Sequence, residues 1–379
     1  MTATSQRAES VTTDTGRPVG VAVIGCGVIS DQYLANLTRF PDIRVIGCAD
    51  LDVARAAQQA AKYGVPHSGD PVSILALPDV DLVVNLTIPA VHASVAIQAI
   101  TAGKHVYGEK PFALTVKEAQ AVVAAAEEHA VVVGNAPDTF LGAGLQTARR
   151  LIEEGRIGTP TAARATFATP GPDLWHPNPE FLFQPGGGPL LDMGPYYLTA
   201  LIQILGPVAR VAGFGRRAQD KRTIVEGPRA GEQFDVTVDT HVVGLLEFAG
   251  GQVANVTFSF DSPHAVRELE ILGTAATLRL PDPNKFEGSV LICEKNSDEW
   301  VEIPATGSTE GRGMGVLDMV RSLRSKTSPR ASATTALHVL DVMETLTAAA
   351  AAGQTLSVAS SCAAAEPLPE TWNPLERGK

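Results

Sequence analysis

A chain of 379 residues with 45% hydrophobic and 19% charged residues has a globular composition and enough length for two cores. Its formal net charge of −11 repels phosphate backbones and no Lys/Arg-rich run offsets it, which argues against nucleic acid as a partner. No apolar stretch reaches the roughly 18 residues of a membrane span, and Cys26, Cys48, Cys293 and Cys362 lie too far apart for a zinc motif or a disulfide framework, as expected of reduced thiols in a cytoplasmic protein.

Residues 1–17 lack an apolar core segment, so they read as a disordered tail and not as a secretory signal. From residue 19 the pattern alternates. An apolar run, Val19–Ile24, ends in glycine and is followed by a helical segment over 29–40. Apolar runs at 44–49, 81–87, 105–108 and 131–135 follow, with helical patterns at 52–63 and 92–102 between them. Thr115 with Glu118 three residues on has the spacing of a capping box, which predicts a further helix there. Strands separated by helices of this length imply βαβ crossovers and a parallel sheet.

Beyond about residue 160 the grammar changes. Residues 161–169 alternate like a half-exposed strand, and 237–248 and 252–260 flank Ala249-Gly250-Gly251 as a hairpin. Strand character continues at 271–280 and 289–294, and helices are expected near 196–205, 314–323 and 334–350. The fold class is therefore α/β plus α+β, with an open, mostly antiparallel sheet flanked by helices in the second part.

The densest local signal is Gly25-Cys26-Gly27-Val28-Ile29-Ser30, between the first strand and the first helix. Gly25 permits a tight turn, Gly27 lets the backbone approach a pyrophosphate, and the amides of Val28 and Ile29 open a helix N-terminus that favours an anion. The third position is Ser30 where glycine is usual. Asp50 ends the second strand, where its carboxylate can accept from an adenosine ribose and repel a 2′-phosphate. No arginine follows Asp50 directly, which favours NAD; Arg55, one turn on, leaves NADP use open. Asp50 could instead cap the next helix, a role that fits Asp52 better.

These signals define a Rossmann-type dinucleotide domain over 18–140, a substrate-binding and oligomerisation domain over 141–360, and a C-terminal tail over 361–379, with a late helix able to pack back on the first domain. Thr87, Pro89 and His92 lie at the end of the third clear strand, where ligands of parallel sheets collect. Glu109-Lys110-Pro111 ends the next strand, and its lysine can reach a substrate hydroxyl or the nicotinamide ribose. His92 could equally be a first-turn histidine, and Glu109 with Lys110 a solvated surface pair.

Taken with Gly103-Lys104-His105-Val106 and with Gly186-Gly187-Gly188-Pro189-Leu190-Leu191-Asp192-Met193-Gly194, these motifs resemble the glucose–fructose oxidoreductase, inositol dehydrogenase and rhizopine-catabolism family of NAD(P)-dependent sugar dehydrogenases. The resemblance covers most of 19–350. It implies that Lys110 binds cofactor and substrate and that the segment after Asp192 supplies the other catalytic groups. Where the inositol branch usually has histidine this chain has Tyr196, and Thr199 replaces a second acid. That puts inositol in doubt and is similar to the glucose–fructose and dihydrodiol/xylose branches.

A tyrosine at that place is chemically coherent. Oxidising a secondary alcohol requires hydride transfer and removal of the hydroxyl proton. A free phenol has a pKa of about 10, and a nearby ammonium such as Lys110 favours the phenolate. Placing Pro195 at the first helical position would put Tyr196 in the first turn, where the helix dipole adds to the effect. Asp192 could orient Lys110 or bind a sugar hydroxyl. In the Pro/Gly-rich loop 170–188, Trp175 and His176 are candidates for contacting the substrate, with Asp138 and Thr139 weaker ones; each also has a structural reading. No H-E-x-x-H or G-x-S-x-G motif is present, so neither a metal site nor a serine nucleophile is expected.

The expected activity is hydride transfer between NAD, with NADP possible, and a secondary hydroxyl of a sugar, glycoside or polyol, in a homodimer or homotetramer. Two alternatives are glycoside cleavage through transient oxidation and a non-catalytic dinucleotide sensor, the latter disfavoured by Lys110.

Overall fold

Five largely buried apolar runs pair with one another in parallel, and a short polar strand that the sequence pattern does not announce, His67–Gly69, adds to one edge. The computed structural model describes residues 16–378. In it β1 (Val19–Ile24), β2 (Ile43–Ala49), β3 (His67–Gly69), β4 (Leu82–Asn85), β5 (His105–Gly108) and β6 (Val133–Asn135) form one sheet in the order β3-β2-β1-β4-β5-β6. Val21 and Val23 pair with Leu82 and Val84, and all four side chains are fully buried. The crossovers include α1 (Val28–Leu37), α2 (Val53–Tyr63), α3 (Pro71–Leu75), α4 (His92–Thr101) and α5 (Val116–Glu128). The expected helix is capped by the Thr115 hydroxyl, which accepts from the Glu118 amide at 3.2 Å, while the Glu118 carboxylate reaches back to the Leu114 amide at 3.0 Å. The strand order reverses between β1 and β4, which opens a crevice at their carboxyl ends.

The chain then passes through α6 (Ala143–Glu153) into β7 (Pro160–Ala168), α7 (Pro189–Leu205) and β8 (Val208–Arg216). A small hairpin, β9 (Lys221–Thr223) with β10 (Gln233–Asp235), precedes β11 (His241–Phe248), β12 (Val253–Ser259), β13 (Val266–Gly273), β14 (Ala276–Arg279), β15 (Val290–Glu294) and β16 (Val301–Ile303). Two helices, α8 (Met314–Ser325) and α9 (Ala333–Ala352), and a short β17 (Leu356–Ser357) follow. Nine strands form one sheet in the order β16-β15-β14-β13-β7-β12-β11-β8-β17. It is antiparallel except at its centre, where β7 and β12 run parallel from Ala162–Val253 to Ala168–Ser259.

Burial alternates along β11, so one face of this sheet is covered by α7 and α9 and the other carries exposed Phe214, Val243, Leu245 and Val253. The run expected as one strand over 271–280 is two, because the chain turns at Thr274–Ala275 between β13 and β14. The helix expected near 196–205 starts at Pro189, capped by Gly188 at φ 91°, a conformation that favours glycine. Pro195 therefore lies inside the helix and Tyr196 well past its first turn.

The late helix α8 packs on the first sheet, and Asp42, its side chain fully buried, receives Arg321 at 3.0 Å and also Arg324. The segment from 361 has no regular secondary structure but is anchored: Cys362 and Leu368 are buried, and the Gly378 amide donates to Asp42 at 2.9 Å. The tail expected over 1–17 lies outside the described residues except for Gly16 and Arg17, and Arg17 pairs with Asp81 at 3.3 Å. Among the described residues no helix is long and apolar enough to cross a membrane, and no group of His, Cys, Asp or Glu could hold a metal ion.

Candidate active site

Four strand ends converge on the crevice. After β1, Gly25 adopts φ 99°, and a Cβ there would stand 2.5 Å from the Leu86 carbonyl oxygen. Only glycine lets this turn sit against the end of β4. Above Gly27 the space is open, with nothing within 4 Å of a built Cβ, and Val28 beside it is 92% exposed. Ile29 lines the neighbouring cleft. The third motif position works as serine: Ser30 is buried, its hydroxyl donating to Gly27 O at 2.6 Å and accepting from Gln59 of α2 at 2.8 Å.

Asp50 closes the other side. Its Oδ2 accepts from the Cys26 amide at 2.8 Å and its Oδ1 from the Asp52 amide at 2.9 Å, so the carboxylate is fixed beside the glycine turn. Asp52 caps α2, as its position suggests, by accepting from the Arg55 amide at 3.1 Å. Arg55 lies 3.5 Å from Asp50 and 3.2 Å from Asp52. An open cradle over Gly27, the free first amides of a helix and a fixed carboxylate fit a dinucleotide.

After β4, Thr87 reaches the cleft with its hydroxyl donating to Asn85 at 2.6 Å, and Pro89 begins a short 3₁₀ turn. His92 does not face the crevice. It is buried behind it, with Nδ1 2.6 Å from Pro111 O and Nε2 2.9 Å from Thr87 O. The ring ties the end of β4 to the loop after β5, which replaces direct cofactor contact as its role. Glu109 is also largely turned inward, accepting from the Tyr33 hydroxyl at 2.7 Å and from the Lys110 amide at 3.0 Å.

Lys110 leads into the substrate side. Its Nζ donates to Asp192 Oδ1 at 2.7 Å and to Asp192 O at 2.8 Å, and it stands 5.3 Å from the centre of the Tyr196 ring. Burial disfavours the ammonium, but Asp192 and the adjoining groups more than offset this, so the Lys110 pKa is raised. Burial also raises the Tyr196 phenol above its ordinary range, although Lys110 and Arg312 pull in the opposite direction. The expectation that a nearby ammonium and a helix N-terminus leave the phenol depressed is therefore corrected. Desolvation dominates, and α7 begins too early for its dipole to act there.

These groups line a cleft of about 590 Å³ that also includes Thr169, Trp175, His176, Phe181, Arg267 and Asn284. Trp175 is 64% and Phe181 53% exposed, and their rings flank His176 edge-to-face with centroids 5.6 and 5.4 Å apart. The loop is pinned from beneath by Arg222, which bonds Asp173 at 3.0 Å, Phe260 O at 2.7 Å and also Asp261. Asp138 and Thr139 are buried away from the cleft, with Asp138 Oδ2 accepting from the Gly313 and Gly315 amides at 3.0 Å each.

Three participants carry no sequence signal of their own. Tyr33 comes from α1, Asn284 from the loop after β14, and Arg312 from a glycine-flanked bend before α8. Only the fold brings them to Glu109 and Tyr196.

Residues 19–136 match the oxidoreductase family with an NAD-binding Rossmann fold, and residues 145–279 match the C-terminal domain of the GFO/IDH/MocA group. The chain is 33% identical over 278 residues to a dTDP-3,4-didehydro-2,6-dideoxy-alpha-D-glucose 3-reductase of Streptomyces antibioticus, covering 71% of this chain and 78% of that one. It is 30% identical over 263 residues to a 1,5-anhydro-D-fructose reductase of Ensifer adhaerens, covering 68% and 74%. The fold superposes with a TM-score of 0.81 on an NAD-binding oxidoreductase from Klebsiella pneumoniae, at 23% identity over 91% of this chain and 100% of that one. The protein is therefore a member of the GFO/IDH/MocA family of oxidoreductases, with an NAD-binding Rossmann domain followed by the family's C-terminal domain.

Proposed function

We propose that this protein interconverts a secondary hydroxyl and a ketone on a sugar, glycoside or polyol, with NAD as the redox partner and NADP as a weaker one. The observation that carries the reading is the Lys110 ammonium beside the Tyr196 phenol, at the junction of the dinucleotide crevice and the aromatic-rimmed cleft. The two curated relatives described above are both named as reductases of sugar ketones, which supports the same class.

When bound, the nicotinamide ring supplies the hydride chemistry. Gly25, Gly27, the amides of Val28 and Ile29, and Asp50 would hold the pyrophosphate and adenosine ribose, with Thr87, Pro89, Glu109 and Lys110 toward the nicotinamide end. Lys110 already spends two donors on Asp192 and has a third for the substrate oxygen. Tyr196 exchanges the proton of that oxygen. A phenol raised by burial is protonated near neutrality, which suits it to donate to the forming alkoxide in the reducing direction. Oxidation runs the same step backward and needs the two cations to favour the phenolate. Asp192 orients Lys110 and can accept from a neighbouring hydroxyl. Trp175 offers an apolar face to a sugar ring, and the His176 imidazole set edge-to-face beside it can bond a hydroxyl.

We assign the exposed face of the nine-stranded sheet to contact with a second copy, giving a homodimer or homotetramer. The four free thiols suit a reducing cytoplasm. The test is formation of NADH with NAD and a panel of D-glucose, D-xylose, myo-inositol and methyl glucosides, with NADP in parallel. Net NADH formation supports the dehydrogenase. Glycoside cleavage without net NADH points to transient oxidation, and binding without either points to a sensor.

A further inference from the structure

Arg312 is the least expected charge in the site. Its guanidinium is about nine-tenths buried between the rings of Tyr196 and Phe286, 5.4 and 5.6 Å from their centres. It donates to Tyr196 Oη at 3.2 Å and to Asn284 Oδ1 at 2.8 Å. Its Nε and Nη1 have no hydrogen-bond partner, and Nη1 faces Asp138 Oδ1 at 3.5 Å, an oxygen that is itself unbonded. A buried cation held this loosely stabilises the fold poorly, so packing alone does not explain it.

Its backbone is held elsewhere. Asn36, near the end of α1, donates to Arg312 O at 2.8 Å and to Glu310 O at 2.6 Å, and the next amide, Gly313, is bonded to Asp138. The helix that begins at the dinucleotide turn thus fixes the residue whose side chain touches Tyr196.

The consequence for Tyr196 is directional. An arginine can only donate, so Oη must accept on that side. The phenol's own proton has no acceptor on the buried side among the described residues, and Tyr196 lines the cleft together with Lys110.

We propose that Arg312 is the positioning residue of Tyr196: it holds the phenol oxygen as an acceptor on its buried side, aims the hydroxyl proton at the substrate, and ties that geometry to the cofactor helix. This rests on Tyr196 as the proton-exchanging group. The charged and titratable groups facing the pair are Lys110 and Glu109 after β5, Asp192 on α7, Asp138 after β6 and Tyr33 on α1.

The test is a pH titration of tyrosinate absorbance in the NAD-bound protein, with the part missing in Tyr196→Phe assigned to Tyr196. Arg312→Met should move that part to higher pH by about one unit or more, and cut kcat by roughly 10- to 100-fold on whichever panel sugar turns over. Arg312→Lys keeps the charge and should restore most of the pH behaviour. If Arg312→Met folds poorly because Asp138 is stranded, Arg312→Met is compared with its own Asp138→Asn background, where the Tyr196 signal should still move to higher pH. An unmoved Tyr196 titration in these variants overturns the proposal, as does Arg312→Met that folds and keeps wild-type kcat. Tyr196→Phe with full turnover instead overturns the functional reading beneath it.

Discussion

Asp50→Asn changes one charge at nearly constant volume, in the place where NAD and NADP differ. The asparagine oxygen can still accept from one amide, Cys26 or Asp52, but its NH₂ cannot accept from the other, so one of the bonds at 2.8 and 2.9 Å is lost. A 2′-phosphate about 5 Å from the carboxylate would meet a repulsion of roughly 2–3 kcal/mol per unit charge at an effective dielectric of about 20–40. Arg55, 3.5 Å from Asp50 and half-exposed, offsets part of this, so the wild-type preference for NAD should be moderate. The variant should therefore raise NADP affinity relative to NAD by about 10- to 100-fold. NAD itself should weaken by about tenfold or less, because a charged acceptor for the ribose becomes a neutral one. Titrating NADH and NADPH by nicotinamide fluorescence at one fixed ionic strength reads both numbers. A ratio that moves by less than about twofold would mean that Asp50 does not face the adenosine ribose.

Asp42 offers a stability test remote from the cleft. Burial alone would raise its carboxyl, but the Gly378 amide, Arg324 and Arg321 hold it below the ordinary value. A depressed pKa contributes stability above the unfolded value near 3.9, lost as pH falls through the folded one. Asp42→Asn should cost about 2–4 kcal/mol in urea unfolding at neutral pH, with the gap to wild type closing below about pH 4; a variant as stable as wild type at pH 7 contradicts the anchoring of α8 and residues 373–378. On assembly, light scattering at micromolar protein should give two or four times the 39.7 kDa chain mass, and Leu245→Lys on the exposed sheet face should reduce it. A wild-type monomer removes that face as an interface.

What was legible in the sequence had a local cause. Five of the six parallel strands are legible because they are apolar and buried, whereas the edge strand His67–Gly69 is short, polar and largely exposed and gives no such signal. The glycine turn with Asp50 is legible because a dinucleotide dictates backbone and charge at fixed spacing. The hairpin at Ala249-Gly250-Gly251 likewise carries its own turn chemistry. The start of α7 was misread because Pro195 resembles a first helical residue. The helix instead runs on through it, and Pro195 forgoes its bond to the Leu191 carbonyl. For His92 the sequence leaves a cofactor contact and a first-turn structural role open, and its ring turns to two carbonyls that only the folded loops bring near. Arg312 was invisible for the same reason: it lies 116 residues from Tyr196 in a Gly-Arg-Gly bend. The parallel β7–β12 pair was hidden because two distant strands share one alternating pattern whichever way they run.

The most direct measurement compares turnover and cofactor binding in Tyr196→Phe and Lys110→Met, using the sugar that turns over best. Tyr196→Phe keeps the buried ring and removes the hydroxyl, so kcat should fall by about 10²–10⁴ with NAD affinity close to wild type. Lys110→Met should lose a comparable factor and also weaken NAD, and the double variant should be little worse than the poorer single one, because groups that act together are not additive. Near-full turnover in Tyr196→Phe would contradict the proton-transfer pair and move the search for the base to Asp192 or His176.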